Sequence, residues 1–180
     1  MITDQALIIQ FQKNEAKEVA FTQLVKKHQT KLYYQIKRMV IEHADADDIA
    51  QLVWMKVWEK LAGFKMESEF STWLFRIGYN ETLNYINKQK RTASSSFDSS
   101  DESYMGTASS TKDPLPVQIQ IKLEQAVQQL PEKQRFVFML RYFEEMNYEK
   151  IAEIMGTTIG GAKANFHQAV KKMEEMLSAD

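Results

Sequence analysis

Two amide side chains near the carboxyl end of the chain, Asn165 and Gln168, have the residue types and spacing needed to read bases in DNA. On an α-helix, positions three apart project from one surface. Each amide can donate one hydrogen bond and accept another at the major-groove edge of adenine. The simpler alternative is a solvated helix face, and the elements that present these side chains decide between the two.

A helix-turn-helix is predicted around these residues. Asn147 can cap a short helix over residues 148–155, which Gly156 is suited to end in the left-handed conformation. The turn ends at Thr158, which can cap a final helix over residues 159–177. Two helices joined by such a turn match a motif whose second helix enters the DNA major groove. Helical hairpins unrelated to DNA share this spacing.

One face of the final helix is predicted to pack on the preceding helix through Ile159, Ala162, Phe166, Val170, Met173 and Leu177. The residues expected to face DNA are Thr158, Gly161, Lys163, Ala164, Asn165, His167, Gln168 and Lys171. The lysines serve as mobile charges toward phosphates, and Gly161 permits close approach of the backbone. His167 either contacts phosphate or is an idle surface residue.

Composition limits the function further. The chain has 180 residues, 44% of them apolar, enough for one or two cores. The lack of cysteine excludes disulfides, thiolate metal sites and cysteine nucleophiles, and it indicates the cytosol. No stretch approaches the ~20 apolar residues of a membrane span, and the amino terminus has no signal-peptide pattern. We therefore expect a cytoplasmic protein without membrane insertion.

The chain divides at a Ser-rich, acidic stretch, residues 93–114, which is predicted to be a flexible linker. Residues 1–92 carry 14 basic and 11 acidic side chains, the linker 1 and 4, and residues 115–180 carry 8 and 9. The positive balance thus lies in the first domain. Few Pro and Gly residues and helical periodicity in both domains predict an all-α protein of two small helical domains.

Three helices are predicted in the first domain. One follows the apolar stripe from Phe21 to Val40, and the next begins near Asp45, with Asp45 as its cap. After a loop over residues 64–70, a third helix capped by Ser71 ends in Lys88, Lys90 and Arg91. In the second domain, Asp113 and Pro114 are expected to start a helix with the stripe Ile119, Leu123, Val127 and Leu130, and Pro131 forces a new start.

Several blocks of the sequence, in this order, resemble a bacterial RNA polymerase sigma factor of the extracytoplasmic-function (ECF) group of the sigma-70 family. They are Asp45–Gln51, Glu67–Asn80, Leu130–Arg135 and Tyr148–Gly156. The resemblance covers nearly the whole chain. It implies that residues 1–92 correspond to region 2 and residues 115–180 to region 4, without a region 3.

The resemblance implies binding to core RNA polymerase through the β′ clamp helices and the β flap. The residues expected at the clamp are Asp48, Gln51, Trp54 and Met55, which helical steps of three and four bring into one patch. An acidic corner beside an apolar body suits an interface with Met or aromatic anchors. For Trp54, and more strongly for Trp58, the alternative is packing within the domain.

The loop and third helix resemble the part of region 2 that opens the −10 promoter element and holds an unstacked base. Such a site needs flat side chains, donors for a base edge and cations along the strand. The residues assigned to it are Lys65, Phe70, Arg76, Tyr79, Asn80, Lys88, Lys90 and Arg91. Tyr79 is expected to be an exposed aromatic, and for Phe70 core packing is the favoured alternative. Asn80 falls on the inward side of the helix, where a buried amide would need partners, so a position at the rim that faces a captured base or the loop backbone is favoured.

Region 4 would read the −35 element with the final helix, where Asn165 and Gln168 replace residues that are commonly basic in the family. Fewer phosphate contacts and a shallow salt dependence are therefore expected. The linker spans ~25 Å on average and up to ~75 Å, against ~70 Å for two turns of duplex. The resemblance also implies promoter DNA and an anti-sigma factor as partners, and a monomer when unbound.

Three alternatives are set against this interpretation. A helix-turn-helix regulator with a sensor domain would need strands in the first domain, where no strand pattern occurs. A module that binds protein but never DNA would leave promoter-directed transcription unaltered. An enzyme is disfavoured because His28, His43 and His167 have no metal-ligand spacing, so no metal, cofactor or catalytic residue is expected.

Overall fold

The computed structural model describes residues 2–40, 43–95 and 117–178, and every regular element in these ranges is a helix. The chain forms two compact units, Met1–Arg91 and Thr92–Asp180. The predicted all-α class is confirmed. No helix in the described ranges is long and apolar enough to cross a membrane.

Unit 1 contains helices α1 (Asp4–Gln12), α2 (Lys17–Lys37), α3 (His43–Lys60) and α4 (Phe70–Ser95), with a 3₁₀ turn at Leu61–Gly63. Its core is built from apolar residues at helical spacing, including Leu7, Leu24, Leu32, Ile36, Ile49, Val53, Val57, Leu61 and Leu74. The stripes predicted for α2 and α3 therefore face the interior.

Helix α1 was not predicted from the sequence, yet it contributes Leu7, Ile8 and Phe11 to the core. Thr3 caps it, since the Thr3 Oγ1 accepts a hydrogen bond from the Ala6 amide at 3.2 Å. At its other end, Gln12 Nε2 donates to the carbonyl oxygens of Leu61 and Phe64, at 3.2 and 2.8 Å. Helix α1 thus holds the backbone where the loop between α3 and α4 begins.

Asp4 anchors the amino end of α1 to α2. Its carboxylate bonds Lys27, and the distance from Oδ2 to His28 Nε2 is 2.7 Å. The ring of His28 in turn packs edge-on against Phe70, with ring centroids 5.2 Å apart. Burial alone would raise the pKa of Asp4, but the hydrogen bond from Lys27 and the charge of His28 outweigh it, so the pKa is lowered.

We expect Asp4→Asn to lower the free energy of unfolding of unit 1 at neutral pH, because the neutral amide cannot form an ion pair with Lys27. A lowered folded-state pKa means that the stabilisation is complete above the unfolded value of 3.8 and disappears as the pH falls through the folded value. Urea unfolding followed by tryptophan fluorescence between pH 7 and 2.5 measures the difference. Glu15→Gln, in the exposed loop before α2, is the control. A difference in free energy of unfolding between the wild type and Asp4→Asn that stays constant with pH would contradict the prediction.

Two helix starts in unit 1 differ from those predicted. Helix α3 begins at His43, so Asp45 lies within its first turn, where the carboxylate still suits the helix dipole. Helix α4 begins at Phe70, so Ser71 is inside the helix and does not cap it; the Trp73 amide bonds to the Glu69 carbonyl at 3.1 Å.

Helix α4 also ends later than predicted. It continues past Arg91 to Ser95, so residues 93–95 of the predicted linker are helical. Residues 96–114 of that linker lie outside the described residues, and so do Asp113 and Pro114, the predicted helix start.

Unit 2 contains α5 (Val117–Gln128), α6 (Glu132–Tyr142), α7 (Tyr148–Met155) and α8 (Ile159–Ser178). The chain restarts after Pro131, as predicted. The core includes Leu130, Phe136, Val137, Leu140, Ile151, Ile154, Ala162, Ala169 and Met173. Three residues of the predicted stripes are instead exposed, Ile119 by 50%, Ile159 by 42% and Leu177 by 44%, and each lies within three residues of a helix end.

Candidate polymerase and promoter interfaces

One face of α3 is exposed and combines charge with apolar surface. Asp48, Gln51, Leu52 and Met55, called here the α3 patch, are all exposed, and Met55 is 62% exposed. The opposite face, with Ile49, Val53 and Val57, is buried. Three of the four residues predicted to bind polymerase therefore share one accessible surface.

The fourth, Trp54, belongs in part to the interior. It is half-buried and packs edge-on against Phe21, with ring centroids 5.9 Å apart. Trp58, also half-buried, lies in the same cluster, with its ring centroid 5.1 Å from that of Phe11 and 4.9 Å from that of Phe21. Packing within the domain, the alternative raised for both tryptophans, is what the structure shows.

The exposed face of α4 carries a row of amides and cations. Arg76, Asn80, Asn84, Asn87, Lys88 and Arg91, called here the α4 stripe, are all exposed. Their spacing of three and four residues keeps them on one side of the helix. Asn84 and Asn87 were missed from the sequence, although the same periodicity, continued beyond Asn80, would have found them.

Two predictions about this region are wrong. Tyr79 is only 3% exposed, because it shares the buried side of α4 with Phe75 and Thr82, so it offers no ring face to solvent. The placement of Asn80 on the inward side of α4 is wrong as well, because Asn80 is exposed, whereas a position that faces a captured base stays a prediction. The error in both cases is a rotation of the assumed inward face by about one residue, or ~100°.

The loop between α3 and α4 is closed by aromatic packing. Phe70 is 4% exposed and Phe64 is 8% exposed, so both are core residues, and Phe70 has no surface available for a base. Trp73 is half-buried, and its ring lies 4.6 Å from Phe64 at an interplanar angle of 30°. Lys65 is exposed, and Met66 follows in a left-handed backbone conformation, with φ 56°. Trp73 is therefore the half-exposed member of this cluster.

The helix-turn-helix has the geometry predicted from its sequence. The Asn147 side chain accepts a hydrogen bond from the Lys150 amide at 2.9 Å, and α7 ends at Gly156 with φ 62°. Thr158 Oγ1 accepts from the Gly161 amide at 3.0 Å and caps α8. A Cβ at Gly161 would lie 2.8 Å from Thr157 Oγ1, so glycine lets the turn threonines sit against the first turn of α8.

Loss of either cap should destabilise this motif. Asn147→Ala removes the side-chain acceptor and is expected to cost about 1 kcal/mol, and Gly156→Ala places a Cβ in the left-handed region at about 1–2 kcal/mol. Thermal unfolding followed by circular dichroism measures both. Asn147→Asp keeps the acceptor and is the control; equal losses for Asn147→Ala and Asn147→Asp would show that the cap does not matter.

The DNA-facing residues predicted on α8 are mostly accessible. Thr158, Lys163, Ala164, His167, Gln168 and Lys171 are exposed, and Gly161 and Asn165 are half-buried. Lys163 Nζ lies 5.7 Å from the centre of the Tyr148 ring, and Lys171 lies 4.0 Å from Glu175.

The side-chain amides of Asn165 and Gln168 are held in opposite orientations by hydrogen bonds within the protein. Asn165 Nδ2 donates to the Gly161 carbonyl at 2.8 Å, whereas Gln168 Oε1 accepts from Gln134 Nε2 at 2.8 Å. The sequence predicts that the two amides read bases in the same way. In the structure they differ, because the NH₂ group of Asn165 and the oxygen of Gln168 are the ends that bond within the protein. Within the described ranges, no cluster of three or more His, Asp or Glu residues is arranged to hold a metal.

Both units match families of known proteins. The family model described as Sigma-70 region 2 matches residues 24–92, and the one described as Sigma-70, region 4 matches residues 120–173. The RNA polymerase sigma-H factor of Pseudomonas aeruginosa is 31% identical over 182 residues, which cover 97% of this chain and 93% of that protein. The ECF RNA polymerase sigma-E factor of Escherichia coli is 31% identical over 176 residues, covering 93% and 91%.

Two solved structures resemble the fold. The sigma factor RpoE of Bartonella quintana, crystallised with the anti-sigma factor NepR, gives a TM-score of 0.75 at 28% identity, covering 89% of this chain and 98% of that one. CnrH, solved with the cytosolic domain of CnrY, gives a TM-score of 0.69 at 22% identity, with 98% of each chain covered, and shows likeness of fold alone.

A chain that matches both sigma-70 regions in order, and full-length sigma factors beside them, is an initiation factor of transcription and not an enzyme. The chain belongs to the ECF group of the sigma-70 family of bacterial RNA polymerase sigma factors. Its function is to direct promoter-specific initiation by RNA polymerase.

Proposed function

We propose a division of labour between the two units. Residues 1–92 act as region 2, which binds the β′ clamp helices of core polymerase and opens the −10 element. Residues 115–180 act as region 4, which binds the β flap and reads the −35 element, and residues 93–114 connect the two. The observation that carries the proposal is that unit 1 displays two chemically different exposed surfaces, the α3 patch and the α4 stripe, on separate helices.

The α3 patch suits a protein partner. Met55 and Leu52 are exposed by 62% and 41%, although apolar residues of this size are usually buried. Burying them against another protein removes apolar area from water, and Asp48 at the edge fixes the orientation by its charge. This combination matches the anchors and polar rim of a specific interface.

The α4 stripe suits single-stranded DNA. Arg76, Lys88 and Arg91 supply charge along the backbone of the strand, while Asn80 and Asn84 supply donors and acceptors for base edges. Lys65 adds a cation on the loop, and Lys90 lies next to the stripe. Trp73, instead of Tyr79 or Phe70, is the aromatic side chain available for stacking. We therefore assign −10 recognition to this face of the unit.

Region 4 reads the upstream element through α8. Lys163 and Lys171 approach phosphates, and Asn165 and Gln168 approach base edges. With uncharged residues at two positions that are often basic in the family, the affinity of this unit for DNA alone is expected to be weak. Attachment to polymerase raises its effective concentration at the promoter.

Regulation by an anti-sigma factor also follows from the family. The similar RpoE of Bartonella quintana was crystallised with such a protein. We infer that this chain acts in the cytoplasm, is a monomer when unbound, and passes between an inhibitor and core polymerase.

The assignment of the two elements can be tested with promoters randomised separately at −10 and −35. Gln168→Ala should change base preference in the upstream element only, by about 1–3 kcal/mol at particular base pairs, and Asn80→Ala should change it in the downstream element only. Glu174→Ala, exposed near the end of α8, is the control and should change neither. A change in the opposite element, or a uniform loss over all sequences, would contradict the assignment.

A further inference from the structure

Gln134 of α6 reaches across to the base-reading surface of α8. Its Nε2 donates to Gln168 Oε1 at 2.8 Å, while its own Oε1 is buried with no hydrogen-bond partner among the described residues. Gln168 itself is exposed. The contact joins a partly buried amide of the supporting helix to the exposed amide that faces DNA.

The burial of Gln134 Oε1 determines that Gln134 is the donor in this hydrogen bond. If the Gln134 amide were turned over, its NH₂ group would occupy the buried position that now holds Oε1. Buried N–H donors without partners are rarer than buried carbonyl oxygens without partners. The orientation that buries Oε1 and points an N–H group of Gln134 at Gln168 is therefore the favoured one.

The hydrogen bond from Gln134 limits which groups of Gln168 are available to a base. Its oxygen is held toward the protein, so the NH₂ group is the end that projects into solvent. Bidentate pairing with adenine needs the oxygen and the nitrogen of the amide together, whereas guanine presents two acceptors, N7 and O6, on its major-groove edge. An amide that offers donors only fits guanine better than adenine.

We propose that Gln134 is a specificity-determining residue that positions Gln168 as a donor-only reader of guanine in the upstream element. The proposal rests on the assignment of α8 to that element. Gln134 acts through the reader: its hydrogen bond holds the oxygen of Gln168 toward α6, so that this oxygen is turned away from a base. The general expectation for glutamine, a preference for adenine, is reversed in this chain by one residue of another helix.

The test is transcription by core polymerase and this protein from promoters that carry each of the four bases at every upstream position. Gln168→Ala identifies the base pair that Gln168 reads. At that position the wild type should prefer guanine over adenine by about fivefold or more. Gln134→Leu, similar in size and without an acceptor to bury, releases the amide of Gln168 and should remove the preference.

Two further variants make the result specific. The ionised carboxylate in Gln134→Glu can only accept, so at a pH where it is ionised it should turn the Gln168 amide over and favour bases with an exocyclic amino donor, cytosine or adenine. Gln168→Lys in the Gln134→Leu background offers donors only and should restore the preference for guanine.

An unchanged guanine-to-adenine ratio in both Gln134 variants, with circular dichroism like that of the wild type, would overturn the proposal. So would a loss in Gln168→Ala that is equal at all bases. A failure of the proposed function is distinguishable, because in that case the wild type itself would start no transcripts from any promoter of the set.

Discussion

Asp48→Lys is expected to abolish association with core RNA polymerase while leaving the helical fold intact. Asp48 is exposed at the edge of the α3 patch, beside Gln51, Leu52 and Met55. A reversed charge at the edge of an interface loses a favourable contact and brings like charges together, which costs several kcal/mol. Binding of the variant to core polymerase, measured by fluorescence anisotropy of labelled protein, should therefore fall by a factor of about 30 or more.

The control for Asp48→Lys is Glu15→Lys, which makes the same change of charge in the exposed loop between α1 and α2. It should bind core polymerase like the wild type. Met55→Ala, which removes the apolar anchor and keeps the charge, should weaken binding as well. Retained association of Asp48→Lys would mean that the α3 patch is not the polymerase-binding surface.

Phe11→Ala is expected to lower the free energy of unfolding of unit 1 by about 3–5 kcal/mol, the range found when a buried aromatic ring is removed. Phe11 is 2% exposed and packs against Phe21 and Trp58, with Lys17 above its ring at 4.7 Å. The loss matters for function, because α1 also holds the loop through Gln12.

Urea unfolding followed by tryptophan fluorescence measures this effect. Trp54, Trp58 and Trp73 all lie in unit 1, so the signal reports that unit. Ile9→Ala is the matched control on the same helix, since Ile9 is 37% exposed and should cost less than about 1 kcal/mol. If both variants unfolded at the same urea concentration, α1 would not belong to the core.

The helix-turn-helix was predictable because its signals are local. Asn147, Gly156 and Thr158 each satisfy backbone groups within four residues, so their roles can be recognised without knowing what packs around them. The matched families likewise depend on blocks of contiguous sequence. The helices that are defined by capping residues and apolar periodicity could therefore be predicted from the sequence.

The features that were predicted wrongly or missed depend on contacts between helices. The run Leu7–Ile8–Ile9 does not show helical periodicity, and α1 becomes recognisable only when α2 and the 3₁₀ turn cover it. The exposed position predicted for Tyr79 is wrong because the sequence does not show where α4 starts or at what angle it packs on the other helices. The bond from Gln134 to Gln168 joins positions 34 residues apart, and no local pattern predicts its sense.

Run-off transcription with core polymerase on a library of promoters tests the central claim most directly. With this protein added, we predict transcripts that begin at defined start points and share two conserved elements separated by about two turns of duplex. Core polymerase alone should give none of these. If the protein neither binds core polymerase nor changes where transcription begins, it does not act as an initiation factor, and the assignment of both units is wrong.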